Sequence, residues 1–525
     1  MEKIDKRKIF LIIIIVLILL VIALFVGKFT FSYLGPNISD DASNKGEVTA
    51  SGDTIIFNNG KALTLSATTD NFKTGGTNLT STTNPTAKLV ASSKTNKADA
   101  TYYVGVYIKN NTYTYSTTAK TPEVLLTIKD EKGSNVTSVD GLTYTTSGGV
   151  SGFDVTDKAG LFNVKTDYPI TTTSSTTGTT HTWTFTLTFI NLSTDQSINE
   201  NANMNIDVYL QTKPLPSTVA DVCSGGETLA SCVTTLSKKS ISPVTNIYYH
   251  DSSLTNGAGD NSYRYAGASE SVNNFVCFGS TTSPCPTDNL YRIIGVFGDQ
   301  VKLIKYDYAN SNLLGTEGDY STDTYSSNSY KGELTTINRY YWNNSTQKNT
   351  WSESNLNKVN LNTNFINNIG EEWTQKIATT TWKVGGNTYE NIGEQPAKTA
   401  YQNEVVHPVM TKTTDNKTEY TAKIGLMYVS DYGFAAAPSA WTSNLSDYYG
   451  EAIINVNWMY IGLHEWTISR IADDSNTAFN VLSRGYVGNY YDVVNSFGVR
   501  PSFNLESAIT YVSGSGSADD PIVIN

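Results

Sequence analysis

Three stretches of the chain alternate apolar and polar residues with a period of two. In "HTWTFTLTF", Trp183, Phe185, Leu187 and Phe189 are separated by threonines, so every large side chain falls on one face of an extended strand. "MNIDVYLQT" turns Met204, Ile206, Val208 and Leu210 inward and Asn205, Asp207 and Tyr209 outward, and "TYYVGVYIK" repeats the pattern through Tyr102, Val104, Val106 and Ile108. A strand with one apolar face needs a covering layer. No long helical pattern lies between residues 49 and 212, so the expected layer is a second sheet and the expected fold there is an all-β antiparallel sandwich. Burying four apolar side chains on one strand is worth about 6 to 12 kcal/mol before conformational entropy is subtracted, enough to fix register.

The N-terminus carries a different pattern: an unbroken apolar run from Ile9 to Val26. As a helix it would be about 27 Å long, close to the roughly 30 Å hydrocarbon core of a bilayer. Lys3, Lys6, Arg7 and Lys8 precede it and Lys28 follows, so the positive-inside bias predicts a cytoplasmic tail at 1–8, a transmembrane helix at 9–27 and all later residues outside the cell. This describes a single-pass membrane protein with the lipid bilayer as partner and a polar stalk at 28–48. The alternative is a cleaved signal peptide, whose apolar region is usually about 7 to 15 residues and ends in a small-x-small site; Ala23-Leu24-Phe25 does not supply one.

Leu215-Pro216-Ser217-Thr218 marks a linker, expected over 213–240, and beyond it the composition changes. Seven of the eight tryptophans fall between Trp342 and Trp466. "LNKVNLNTNFINNIGEEWTQKIA" spaces Leu356, Val359, Ile366, Ile369, Trp373 and Ile377 by three, four and seven, the pattern of an amphipathic helix or helix pair. Around it lie strand-like "LYRIIGVF", "VKLIKYDY", "KIGLMYV" and "EWTISR". The region 241–525 is thus expected to be α+β with helices in the minority, and the whole chain multidomain.

Composition narrows the function. Only 16% of residues are charged, against 33 tyrosines and 39 glycines, which suits β-rich modules better than a helical cytosolic enzyme. The net charge of -11, with no Lys/Arg run outside the first eight residues, argues against a nucleic-acid partner, whose binding rests on clustered cations. Cys223, Cys232, Cys277 and Cys285 form two close pairs. Outside the cytosol two local disulfides are the simplest reading; zinc would call for ligands two to four residues apart with a second such pair or histidines nearby, and free thiols are the remaining option.

"NNFVCFG", "CPTDNLYRIIGVFGDQVKLIK", "TWKVGG", "AKIGLMYVSDYGFA", "NWMY", "EWTISR", "GVRPSFNL" and "GSGSADDPIVIN", in that order over roughly 241–525, together resemble a family of Firmicutes cell-surface proteins whose C-terminal modules are similar to the C-type-lectin-like fold. The 49–212 region resembles, by pattern, the spacer sandwiches of Gram-positive surface proteins and the camelysin and biofilm-matrix type. The resemblance implies a frame of strands and helices carrying long C-terminal loops as the recognition surface, here residues 436–496. Those loops combine Tyr and Trp, which give contact area at small entropic cost, with Ser, Gly and Asn, which give adaptable hydrogen bonds. The candidate ligand-binding residues are Tyr448, Tyr449, Trp458, Tyr460, Arg484, Tyr486, Asn489, Tyr490 and Tyr491, each of which could instead pack internally. Trp466, inside "EWTISR", is expected in the core. Arg500, in Gly498-Val499-Arg500-Pro501, is expected to be buried and bonded to carbonyls or a carboxylate, because Pro501 biases it toward extended backbone.

A calcium-dependent lectin would need carboxylate and amide oxygens in particular motifs, and Trp342-Asn343-Asn344 and Glu394-Gln395-Pro396 do not make that set; Asp473-Asp474-Ser475-Asn476 could donate oxygens but also suits an exposed turn. No cofactor is expected. His181, His250, His407 and His464 are far apart, and no nucleophile elbow, phosphate loop or dinucleotide fingerprint occurs, so the expected activity is binding and not catalysis. Two functions remain: a membrane-anchored display protein that binds an extracellular glycan or protein through its last domain, or a fibre or biofilm-matrix subunit assembling through its sandwich.

Overall fold

The computed structural model describes residues 45–50, 53–68, 76–93, 97–327, 335–388, 395–408, 418–488 and 491–525. The chain divides into two compact units, Met1–Pro214 and Leu215–Asn525. Of the described residues 37% lie in strands and 17% in helices, and the sheets are mostly antiparallel, so the fold is β-rich. Among the described residues no helix is long and apolar enough to cross a membrane. That corrects the expected single-pass localisation. The expected tail, 1–8, and span, 9–27, lie outside the described residues, as does the stalk up to the strand Lys45–Ala50.

Among the described residues the first unit holds three antiparallel sheets. One runs Lys45–Ala50, Asp53–Asn58, Thr86–Val90, Thr179–Thr182; the second Gly160–Thr172, Ala98–Lys109, Asn203–Gln211, Leu63–Ser66; the third Leu79–Thr83, Thr184–Phe189, Val124–Lys129, Val150–Asp154, Thr143–Ser147. The alternating residues meet as their period requires: Val208 is opposite Val106, Ile206 opposite Ile108, and Leu187 opposite Leu126. All of them are buried in one core with Trp183, Phe185, Phe189, Met204 and Leu210. The outward faces are less open than the alternation predicts, since Tyr103 and Tyr209 are also buried. Tyr103 lies across Gly105, where a Cβ would come within 2.2 Å of its hydroxyl, and donates to Asn163 Oδ1 at 2.7 Å. A buried carboxylate, Glu123, is satisfied by neutral donors: Ser116 N at 2.5 Å, Gln196 Nε2 at 2.7 Å and Asn199 Nδ2 at 2.9 Å.

The second unit is built on a seven-stranded sheet, ordered Ile247–His250, Ser262–Tyr265, Leu290–Phe297, Gln300–Lys305, Ser502–Asn504, Ile424–Gly425, with Phe275–Cys277 paired to Leu290–Phe297 off that path. "LYRIIGVF" is buried on both faces, which explains its lack of alternation. A smaller sheet joins Gly386–Asn387, Glu465–Ile471, Ala478–Val481 and Val487–Gly488. The expected linker, 213–240, is not all irregular chain. Leu229–Lys239 is a helix, capped by Thr228 Oγ1 accepting from Ser231 N, that buries Leu229, Cys232, Val233 and Leu236 in the core of this unit. Both close cysteine pairs are disulfides, Cys223–Cys232 and Cys277–Cys285.

The expected amphipathic helix differs most from its pattern. Residues Leu356–Phe365 form a ten-residue π-helix, followed by short α-helices Ile366–Ile369 and Glu371–Thr374. Polar side chains account for the wider turn. Asn362 Nδ2 reaches Asn357 O at 3.0 Å and Thr363 Oγ1 reaches Lys358 O at 2.8 Å, both five residues back. Asn360 is buried, donating to Leu314 O at 2.8 Å and Glu317 O at 2.9 Å while accepting from Asp319 N at 3.0 Å. Asparagines thus occupy inward positions that the apolar spacing assigned to solvent.

Candidate binding surface

Strands Ala478–Val481 and Val487–Gly488 pair antiparallel with Val481 opposite Val487, so residues 482–486 must reverse the chain. Leu482 N donates to Tyr486 O at 2.9 Å and Gly485 N to Leu482 O at 2.8 Å. Gly485 has φ of +95°, and a Cβ there would lie 2.5 Å from Ile454 Cγ2 and 2.9 Å from Tyr448 O; only glycine suits both the dihedral and the space.

Side chains from behind hold the turn in place. Tyr432 donates its hydroxyl to Gly485 O at 2.5 Å and Tyr460 donates to Ser483 O at 2.7 Å. Burial raises the pKa of both phenols, which keeps them as donors at neutral pH. Ser483 N donates to His464 Nδ1 at 3.4 Å. Burial, assisted by Arg339, lowers the His464 pKa to about 4, so the ring is neutral and Nδ1 can accept.

What remains exposed on this rigid turn is Arg484, at its tip. Tyr486 beside it is half-buried, and Tyr449 is 59% exposed. The Tyr449 and Tyr486 rings meet edge to face with centroids 6.1 Å apart. Together the three side chains offer two aromatic surfaces and a guanidinium on backbone that is already fixed.

The other candidates are placed differently. Tyr448 is fully buried, its hydroxyl donating to Gly433 O at 3.1 Å and Ala440 O at 3.2 Å. Trp458 is buried too, with Nε1 donating to Tyr265 O at 2.8 Å and the Arg292 guanidinium 4.7 Å above its ring. Both are core residues in the structure, a correction to their expected ligand contact. Tyr460 supports the turn from behind. Tyr491 is half-buried, edge-on to Phe497 at 5.0 Å and 5.9 Å from the His464 ring. Asn489 and Tyr490 lie outside the described residues. Trp466 is in the core as expected, donating to Tyr340 O at 2.9 Å. Tyr432 and His464 were missed as supports; the only local sign in the sequence was the glycine of Ser483-Arg484-Gly485-Tyr486.

The acidic segment 473–476 does not form an oxygen cage. The carbonyls of Ile471, Asp474 and Thr477 converge at 2.7 to 2.8 Å on Asn349 Nδ2, and Asp474 Oδ1 accepts from Asn476 N at 2.9 Å. The Asn349 amide nitrogen thus takes the three carbonyls that converge there. Among the described residues, one group of potential metal ligands is close enough to act together, Cys223, Glu227 and Cys232, and both of its sulfurs are spent in a disulfide. Of the histidines, His250 is buried with Nδ1 accepting from Ala258 N at 3.0 Å, and His181 Nδ1 is bonded to Tyr102 hydroxyl at 3.0 Å.

Comparison of the chain with protein-family models, with curated proteins and with solved structures found no match in any of the three.

Proposed function

We propose that the chain is a ligand-binding protein of the Firmicutes cell-surface type, in which a β-sandwich accompanies a C-type-lectin-like module and the ligand is a glycan or a protein. The observation that carries this reading is the locked turn at 482–486, which exposes Arg484 and sets the half-buried Tyr486 edge to face against the exposed Tyr449. Aromatic and Arg side chains dominate binding energy where they sit on preorganised backbone, because little entropy is then lost on association. The two disulfides of the second unit accord with a protein working under oxidising conditions.

The test is the triple variant Tyr449→Ala/Arg484→Ala/Tyr486→Ala, probed with the wild type on arrays of glycans and of immobilised surface proteins. The expected result is a ligand captured by the wild type and lost from the variant, with the melting temperature changed by no more than about 2 °C, as surface substitutions usually allow. Undiminished capture by the variant would refute the site.

A further inference from the structure

In the second unit, residues 269–275 and the turn at 514–517 border a cleft of about 270 Å³. Its floor is apolar, made by the buried Val272 and Phe275. Tyr306, half-buried just after strand Gln300–Lys305, forms one wall and meets the Phe275 ring edge to face with centroids 5.0 Å apart. Ser269, Glu270 and Ser517 complete the lining used here. The backbone around the cleft is fixed. Phe275 N donates to Gly516 O at 2.8 Å, and Phe275 O accepts from Ile522 N at 2.8 Å. Gly516 has φ of +90°, and a Cβ there would lie 2.6 Å from Asn273 O, so only glycine lets the turn close on this segment.

The two serines have their acceptor sides filled from within. Arg292, buried beneath the floor, donates Nη1 to Ser269 Oγ at 2.7 Å and Nη2 to Val272 O at 2.9 Å. Its Nε donates to Asn274 Oδ1 at 2.6 Å, and the guanidinium lies 4.3 Å from the centre of the Phe275 ring. A hydroxyl that accepts from a guanidinium is polarised toward donating its own proton. Ser517 Oγ likewise accepts from Asp520 N at 3.1 Å and from Ser515 Oγ at 3.3 Å. Both serines thus have a hydroxyl proton to offer the cleft, while the exposed Glu270 brings carboxylate oxygens that accept.

We propose that this cleft is a second ligand site, separate from the turn at 482–486, and that it takes one neutral pyranose residue of a glycan. A pyranose joins an apolar C–H face to a ring of hydroxyls that both donate and accept. The C–H face lies on the Tyr306 ring, the sugar oxygens accept from Ser269 and Ser517, and a sugar hydroxyl donates to Glu270. A simple anion is repelled by Glu270. A purely apolar ligand strips water from three polar groups and returns no hydrogen bond. The volume falls just under the roughly 300 to 1,000 Å³ of pockets that enclose a whole small molecule, which suits a single sugar residue with the rest of the glycan in solvent. The assignment does not depend on Tyr449, Arg484 or Tyr486.

A ligand of this size binds with a dissociation constant on the order of 1 mM, so the assay is saturation-transfer NMR on the full chain. The probes are the methyl pyranosides of glucose, galactose, mannose and N-acetylglucosamine. The expected result is transfer to at least one of them, strongest at the C–H protons of one ring face. Tyr306→Ala and Glu270→Ala should each weaken that binding about tenfold or more, and the signal should persist in Tyr449→Ala/Arg484→Ala/Tyr486→Ala. No transfer to any of the four probes, or transfer that neither cleft variant reduces, overturns the proposal. Transfer lost from the triple variant alone overturns it too and assigns the sugar to the turn. Glu270→Ala removes an exposed side chain and decides the matter even if Tyr306→Ala does not fold, and failure here leaves the turn to be judged by its own arrays.

Discussion

Replacing Glu465 tests whether the core of the second unit is as dry as its geometry indicates. Glu465 and Arg500 are 1% and 2% exposed. Their contact is bidentate, with Arg500 Nε on Oε2 at 2.6 Å and Nη2 on Oε1 at 2.6 Å, and Nη2 also donates to Met459 O at 2.7 Å. Glu465→Ala leaves the guanidinium buried with one carbonyl for a partner. Stranding one member of a buried pair costs about 3 to 5 kcal/mol, and at roughly 2 °C per kcal/mol for a large domain the melting temperature should fall by about 6 to 10 °C. The double variant Glu465→Leu/Arg500→Met removes both charges and should lose much less than Glu465→Ala alone, because apolar packing can replace a buried ion pair at little net cost. Urea unfolding followed by tryptophan fluorescence reports mainly on this unit, which holds seven of the eight tryptophans. A loss under about 1 kcal/mol for Glu465→Ala, with the double variant no better, would mean that water reaches the pair, and the reading of Arg500 as a buried clamp on Met459 would be refuted.

Two further outcomes follow from polar groups inside the second unit. Glu404 has a folded-state pKa of about 7 against an ordinary 4.5, so between those values the folded chain holds a proton that the unfolded chain has released, and its contribution to stability falls by about 3 kcal/mol as pH rises through that window. Glu404→Gln lacks this slope and should gain on the wild type by that amount between pH 4.5 and 7; a constant gap across the titration would show that Glu404 is ionised throughout. His250 and His464, lowered to about 3 and 4, lose stability in the opposite sense as pH falls below about 6.5, equally in both proteins, so the difference isolates the glutamate. Asn360→Ala removes two donated bonds and one accepted bond inside the π-helix and should cost about 2 to 4 kcal/mol in urea unfolding; a cost below 1 kcal/mol would mean that the apolar face alone holds Leu356–Phe365.

The period-two strands were legible because alternation is a local property: one covered face suffices to produce it, and Val104, Val106, Met204 and Ile206 are buried as their spacing requires. What could not be read was the second face. Tyr209 looks outward by parity yet is buried, since whether a further segment covers that side depends on residues remote in sequence. The same limit applies to Leu356–Phe365. Its apolar spacing matches a helix, but Asn360 and Asn364 turn inward to bond carbonyls at 314 and 317, partners that no local window contains. Trp466 and Arg500 were placed correctly because a strand of apolar neighbours and a following proline constrain them locally.

The candidate surface shows most sharply what composition cannot do. Tyr448 and Tyr449 are chemically identical neighbours in a loop rich in Tyr, Ser and Asn, yet one is sealed by two carbonyls and the other is 59% exposed. The difference lies in which backbone carbonyls the packed loops bring against a ring: Gly433, Ala440, Gly485 and Ser483 each accept from a tyrosine hydroxyl, Ala440 O in addition to the Ser443 amide. A buried carbonyl left unpaired is costly, so the loops consume tyrosines for their own satisfaction first, and those left over become available for a ligand. Tyr432, Tyr448 and Tyr460 are thereby structural, and the rigidity they give to the turn at 482–486 is the property that would let Tyr449, Arg484 and Tyr486 bind without paying for their own ordering.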